Sequence, residues 1–459
     1  MVINSSELLT LEYLSRKYDE TNVPLYISYP TSGYWKCGAT DEDYMQSLKT
    51  VKHPFLYLHF PFCENVCHYC MCYKVPNLSE NERERYLDCL EVELKMKSEP
   101  LLIEDGDATT QMHWGGGTPT CMKPDEMERV FKTVEKNYPL YGMKNGNCSI
   151  EAFPKPATVT EEKLSLLSAL GFNEISFGVQ DLDERVQHAI NRSSNFNELA
   201  TVMERSRKYG LRVHIDLCYG LPFQEIDGFE RTIRDVLTLR PDRVAMLTYV
   251  HYPLLYPNQR NIPAMSIPNS FMRVLLSRHA EELFRDAGYE KIGFDHYVLS
   301  DNSLATAYKN GTVNRDLMGY SVSERKDLVG FGSSAISFLG GAYYHNAMTV
   351  DQYDSFIEEQ HLPLHEGNAY FMNDDDRIRN EIIQKCILTD FRIDIKTIEK
   401  KYTVSFAEYF ARELLHLKRL EKDDLVSMND PEIITVTSTG KFFSRHVAAV
   451  FDRYHTSKK

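Results

Sequence analysis

The chain contains no run of about 18 apolar residues, the minimum for a helix that crosses a bilayer. Its most apolar stretch, VAMLTYVHYPLLY at 244–256, is shorter and is interrupted by His251 and Pro253, so no membrane span is predicted. Positive charge is scarce: 52 Lys and Arg stand against 66 Asp and Glu in 459 residues, a net charge of −14. That balance argues against a nucleic-acid partner, because coating DNA or RNA needs a positive field. The N-terminal segment MVINSSELLTLEYLSRKYDE lacks the basic region and apolar core of a secretory signal. There is no low-complexity segment and no internal repeat beyond a strand–helix rhythm. A hydrophobic content of 42% and a charged content of 26% match globular averages and exclude wholesale disorder. The expectation is a soluble cytoplasmic protein, a monomer, long enough to bury a core without disulfide staples.

The rhythm begins after an N-terminal arm, residues 1–50, whose PLYISYPTSGYW at 24–35 has no clear periodicity. Short apolar runs at Phe55–Phe60, Thr109–Trp114, Cys148–Phe153, Glu174–Val179, Leu211–Leu217 and Arg243–Tyr249 read as strands. Helical patterns lie between them, and the first is opened by a capping box of Ser79 and Glu82. Strands alternating with helices of this length imply βαβ units around a parallel sheet. Six units are too few for a closed eightfold barrel, so the expected fold is α/β, a partial (β/α)6 TIM-like barrel over residues 51–300. Its functional groups belong at the C-terminal ends of the strands. Residues 301–366 read as a connecting segment that closes the mouth. Residues 367–459 read as helix, helix, short hairpin and helix, a mostly helical, winged-helix-like domain. With this net charge, packing or a lid role is expected of it rather than DNA binding.

The ten cysteines are unevenly placed, and Cys63, Cys67, Cys70 and Cys72 fall within ten residues. A disulfide scaffold would be small, secreted and evenly cysteine-rich. The segment HFPFCENVCHYCMC at 59–72 sets three thiols in a C-x3-C-x2-C spacing directly after the first strand. Three thiolates on one loop can hold three irons of a 4Fe-4S cube and leave the fourth open. An open iron can chelate the amino and carboxylate groups of S-adenosylmethionine, and one electron then releases a 5′-deoxyadenosyl radical. A structural zinc site would want a second knuckle, which does not follow. Cys72, two residues beyond Cys70, is awkwardly placed for the same cube and is not counted as a ligand. HWGGGTPT at 113–120 follows the second strand, where glycines let backbone approach a ligand closely. Glu151, at the end of the third strand, is placed to accept from an amino group.

The cysteine loop and the Gly-rich segment resemble the radical S-adenosylmethionine superfamily. Further matches, YISYPT at 26–31, SFGVQDLDERVQHAINR at 176–192, IDLCYGLPFQ at 215–224, FDHY at 294–297, VGFGSSAIS at 329–337 and FRID at 391–394, extend the likeness over almost the whole chain. The chain resembles the oxygen-independent coproporphyrinogen III oxidases (dehydrogenases) of haem biosynthesis. The resemblance implies a partial barrel, an arm over the substrate, one 4Fe-4S cluster, two S-adenosylmethionine molecules and an electron donor such as flavodoxin or ferredoxin. It implies cluster ligation by Cys63, Cys67 and Cys70, which are also the catalytic residues it assigns. It implies contacts to S-adenosylmethionine from Tyr57, Gly116, Gly117, Thr118, Glu151, Gln180, Arg192 and Asp216. Val250 and Ile336 match positions near a second molecule. The implied substrate is a tetrapyrrole whose propionates become vinyl groups, giving protoporphyrinogen IX. Arm tyrosines Tyr26, Tyr29 and Tyr34 then either cover a flat macrocycle or seal an apolar seam.

Two positions depart from the family pattern. Leu25 stands where the family has Arg, and Phe153 follows Glu151-Ala152 where the family has Asp. Both change the charge expected around the substrate. The alternatives are a related radical methyltransferase acting on haem or another ring system, and a haem-binding chaperone.

Overall fold

The computed structural model describes residues 5–101, 109, 111–140, 147–322 and 327–455. Residues 1–4 of the predicted arm, Thr110 of the predicted second strand and residues 456–459 of the predicted C-terminal domain lie outside these.

The first predicted strand forms where the sequence places it. β1 (Phe55–Phe60) is buried along its length except for half-buried Tyr57, because both faces of its sheet are covered, as in parallel α/β layers. Ser79 caps the next helix, Glu80–Ser98, in a reciprocal capping box with Glu82. The alternation continues through β2 (Gln111–Gly116), β3 (Cys148–Ala152), β4 (Glu174–Gln180), β5 (Arg212–Tyr219) and β6 (Arg243–Thr248). Thr160 and Asn195 cap helices Glu161–Ala169 and Phe196–Lys208. β1 to β6 lie side by side in chain order and pair in parallel. That is the six-unit array the sequence predicts.

The array is flanked on both sides. β7 (Tyr289–Ile292) and β8 (His296–Leu299) add antiparallel to the β6 edge. At the other edge β9 (Leu328–Phe331) pairs in parallel with β1. β10 (Ile336–Leu339), β11 (Ala342–Asn346) and β12 (Leu364–Phe371) follow antiparallel. Among the described residues the sheet has twelve strands, with β12 and β7 at its ends. Residues 301–366, read from sequence as a connector, therefore supply β9, β10, β11 and the start of β12. Gly340 and Gly341, at φ +58° and +87°, join β10 to β11 in a two-residue hairpin, the connection that a Gly-Gly pair favours.

After β12 the chain builds a second core. Helix Asp374–Asn380 runs into a wider-wound turn at Glu381–Ile387, and helices Ile395–Tyr402 and Ala411–Lys422 follow. A three-stranded sheet unites Arg392–Asp394 with the hairpin Val426–Asp430/Ile433–Val436. Leu11, Leu14, Tyr26 and Tyr29 of the arm are buried in this same core. Of the two roles open to the arm tyrosines, the structure places Tyr26 and Tyr29 in a seam. Tyr26 donates to Asp452 at 3.1 Å, and half-exposed Tyr34 donates to the Tyr454 carbonyl at 2.5 Å.

One arm residue ties three regions together. Glu20 accepts from Arg273 and from Thr248 (3.0 Å) and Tyr219 (3.3 Å) of the barrel, and from Arg445 (2.9 Å) of the C-terminal domain. Burial alone would raise this carboxyl, but the charges of Arg273 and Arg445 outweigh it and bring Glu20 from 4.5 down to about 2. A folded-state pKa below the unfolded one stabilises the fold above pH 4.5 and is lost as pH falls toward 2. The expected loss is about 3 kcal/mol. Glu20→Gln should flatten that acid limb and lower the neutral-pH melting temperature, read as thermal midpoints between pH 2 and 7. Among the described residues no helix is long and apolar enough to cross a membrane.

Candidate functional site

The C-terminal ends of β2 to β6 open onto a cavity of about 350 Å³, walled on one side by the cysteine loop. Cys63, Cys67, Cys70, Gly116, Gly117, Thr118, Glu151, Gln180, Arg192, Asp216 and Val250 all line it. The predicted Tyr57 and Ile336 do not. Tyr57 lies beneath the wall, its ring stacked 6.0 Å from His113 and its hydroxyl 3.0 Å from His59 Nδ1. Ile336 packs instead beside the cluster of Trp35, Tyr343 and Met372.

Glycine is required where the wall is thinnest. Gly116 has φ +109°, and a Cβ there would meet the His59 ring at 2.5 Å; at Gly117 it would meet the Phe62 carbonyl oxygen at 2.5 Å. The buried His59 ring is neutral at physiological pH, since burial lowers it to about 4. Gly116 N–H donates to Glu151 Oε2 at 3.2 Å, and His113 Nε2 lies 3.0 Å from Glu151 Oε1. Ser176 donates to Asp216 at 3.1 Å. Burial, reinforced by the Glu151 charge, pushes Asp216 up to about 6, so it is an acceptor at neutral pH with a proton within easy reach.

Arg192 is one of three cations on the cavity wall among the described residues, with Lys74 and Lys155. Its guanidinium stacks 4.2 Å over the Phe153 ring, a cation–π contact. Nη1 donates toward Cys67 Sγ at 3.3 Å and Tyr69 Oη at 3.4 Å, and Nη2 donates to the Gly178 carbonyl. Nε is buried and has no hydrogen-bond partner among the described residues. Phe153 thus sets an aromatic face against this guanidinium.

The three thiols present different faces to the cavity. Cys63 Sγ lies 3.8 Å from Thr118 Oγ1, and burial raises its thiol to about 12. A hydrogen bond from Cys72, opposed by burial and aided by the Lys74 charge, brings Cys70 down to about 6. Among the described residues no three His, Cys, Asp or Glu side chains are gathered as a single-ion site. Thiolates that each bind a different iron of a cube have no need to converge on one point. Soft thiolate donors on one loop, beside a guanidinium and glycine backbone, fit a 4Fe-4S cube with one iron facing the cavity.

Two residues that hold this loop were not singled out from the sequence. Asn258 Nδ2 donates to the carbonyls of Cys67 (3.1 Å), His68 (2.9 Å) and Cys70 (2.8 Å). Gln259 Nε2 donates to the carbonyls of Tyr69 and Val250, both at 3.1 Å. Nothing in PNQR at 257–260 marks it as a brace, because its partners lie some 190 positions away. Asn258→Leu leaves those carbonyls without their donor, at roughly 1 kcal/mol per bond. The reconstituted variant is expected to release iron to a chelator about tenfold faster, and the unfolding midpoint of the metal-free chain should fall as well, because the lost bonds do not depend on the cluster.

Comparison with known proteins follows the same lines. The radical SAM superfamily model matches residues 57–236. An oxygen-independent coproporphyrinogen III oxidase of Pseudomonas aeruginosa is 35% identical over 446 residues, covering 96% of this chain and 95% of that protein. The Escherichia coli protein of the same name is 34% identical over 448 residues, covering 97% and 95%. The solved structure of coproporphyrinogen III oxidase from Escherichia coli, described as a radical SAM enzyme, aligns with a TM-score of 0.86 at 31% identity. That alignment covers 94% of this chain and all of the other.

Proposed function

Since this chain belongs to the oxygen-independent coproporphyrinogen III oxidase family of the radical SAM superfamily, we propose that it oxidatively decarboxylates propionate side chains of coproporphyrinogen III to vinyl groups. In each conversion the side chain loses a hydrogen atom from its β-carbon, then CO2, and passes one electron to an external acceptor, leaving a carbon–carbon double bond. When bound, a 4Fe-4S cluster and S-adenosylmethionine supply the hydrogen-abstracting radical chemistry. Cys63, Cys67 and Cys70 hold the cluster. The observation that carries this reading is the convergence on one cavity of the cysteine loop, the glycine wall and the Arg192 guanidinium.

The chain's own residues bind and orient. Arg192, fixed from below by Phe153, offers Nε to the carboxylate of S-adenosylmethionine in a charge-assisted bond. Glu151, held by His113 and the Gly116 amide, accepts from the amino group, and Asp216 accepts from ribose hydroxyls. Gly116, Gly117 and Thr118 bring backbone against the ligand, and Gln180 packs at its side. Val250 borders the place where a second molecule of S-adenosylmethionine would lie. The walls exclude water that would quench a radical. The electron comes from an external donor such as flavodoxin or ferredoxin.

The test is an anaerobic assay of the reconstituted protein with reductant, S-adenosylmethionine and coproporphyrinogen III, read by mass spectrometry. Stepwise loss of the mass of CO2 plus two hydrogens supports the reading. Formation of 5′-deoxyadenosine with the porphyrinogen untouched would retain the radical machinery and refute the substrate. Arg192→Ala should weaken S-adenosylmethionine binding by about 10- to 100-fold, the value of one charge-assisted hydrogen bond, while cluster content stays unchanged. Unchanged affinity in calorimetry would remove Arg192 from the binding set.

A further inference from the structure

Glu20 also borders a second cavity, of about 30 Å³, set between the arm, the barrel and the C-terminal domain. Tyr219, Ser277 and Lys291 line it from the barrel, and the run Lys441–His446 lines it from the C-terminal domain. Its charges do not balance. Lys291 is paired with Glu281 at 2.5 Å. Arg445 must share Glu20 with Arg273. Among the described residues Lys441 has no ion pair, and its ammonium sits over the Phe391 ring at 4.9 Å. Among the described residues three cations, Lys291, Lys441 and Arg445, and one carboxylate, Glu20, line this cavity of a chain whose net charge is −14.

Two further observations concern the cations of this corner. Arg445 is 7% exposed, and its Nη1 is buried with no hydrogen-bond partner. A buried guanidinium nitrogen left without a partner is costly unless something completes it. Burial, and next the charge of Lys291, lower the Lys441 ammonium, as expected for two cations held side by side. His446 adds no charge: its Nε2 lies 3.0 Å from the Asp19 carbonyl, and burial lowers the ring to about 4.

We propose that this cavity binds one small oxyanion, a single carboxylate group or inorganic phosphate, held by Arg445 Nη1, Lys441 and Lys291. The cavity has room for roughly two water molecules, so it takes the head of a small anion and excludes a nucleotide. Because its walls come from three regions, the bound anion cross-links them and stabilises the arm against the barrel. The proposal does not depend on the reaction assigned to the larger cavity.

The test is thermal unfolding and titration calorimetry of the full-length reconstituted protein in sodium acetate, sodium phosphate or sodium chloride at constant ionic strength. A saturable rise in melting temperature with acetate or phosphate is expected, since a ligand that binds only the folded state stabilises it. Whichever oxyanion binds tighter identifies the group as a carboxylate or as inorganic phosphate. Lys441→Gln and Lys291→Gln should each weaken that binding about tenfold. In oxyanion-free buffer Lys441→Gln should be no less stable than the parent, because it removes a like-charge contact. Three results would overturn the proposal: no saturable effect of either oxyanion, an equal effect in the parent and both variants, or a less stable Lys441→Gln protein in oxyanion-free buffer.

Discussion

Replacing Cys63, Cys67 or Cys70 by alanine will leave a folded protein that binds no stable cluster and forms no 5′-deoxyadenosine. The three thiols line the cavity, and the loop that carries them is held through its carbonyls by Asn258 and Gln259. Removing a sulfur therefore leaves the brace intact. What it removes is one soft ligand of three: Thr118 offers only a hydroxyl beside Cys63, Arg192 only donors beside Cys67, and the other thiols on the cavity wall, Cys72, Cys121 and Cys218, stand outside the C-x3-C-x2-C spacing. Iron and acid-labile sulfide after anaerobic reconstitution should fall to background, while far-ultraviolet circular dichroism of the metal-free chain is unchanged. Cys72→Ala is the matched control. Cys72 lines the same cavity but falls outside the C-x3-C-x2-C spacing, so this variant should keep its iron. Full activity in any of the three alanine variants would end the radical reading.

Lys97→Met should be among the most destabilising single substitutions in the chain. Lys97 and Glu93 are both fully buried, one helical turn apart, with Nζ 2.6 Å from Oε1. Lys97 also donates to the Gly330 carbonyl at 2.7 Å and stacks over the rings of Tyr44 and Phe331. Glu93 accepts from Gly332 N–H (2.7 Å), Asn346 (2.8 Å) and Tyr353 (2.7 Å). Burial opposes the lysine's charge, but Glu93 and Tyr44 outweigh it and keep Lys97 protonated. The pair fastens helix Glu80–Ser98 to β9 and β11, and β9 is the direct neighbour of β1, which leads into the cysteine loop. Removing the cation strands a buried carboxylate, at a cost of about 3–5 kcal/mol. Urea unfolding of the metal-free chain will read this as a lower midpoint at unchanged slope. Lys97→Met combined with Glu93→Leu should recover part of the loss, because a neutral pair carries no unpaired charge. A single variant within 0.5 kcal/mol of the parent, the range of ordinary surface substitutions, would show that the pair contributes little.

Local signals in the sequence determined the barrel strands and the helices between them. Alternating apolar runs, the Ser79–Glu82 box and caps such as Thr160 act within a few residues, so they can be read without knowing the fold. The cysteine spacing and the HWGGGTPT turn are legible for the same reason: one loop and one strand end carry the whole signal. Arg192, Asp216 and Gln180 were legible only through resemblance, because each is a single residue on a different strand or loop. The connector reading of residues 301–366 named none of the strands that join the main sheet there, whose pairing depends on partners elsewhere in the chain. Only the tertiary structure decided that Tyr26 and Tyr29 seal a seam, that Ile336 lies away from the cavity, and that Asn258 braces the cysteines. It alone decided that Glu20 joins arm, barrel and C-terminal domain, and that Lys97 meets Gly330 across more than two hundred residues. Periodicity and capping are written in neighbours along the chain, whereas buried charge pairs and braces are written in neighbours in space.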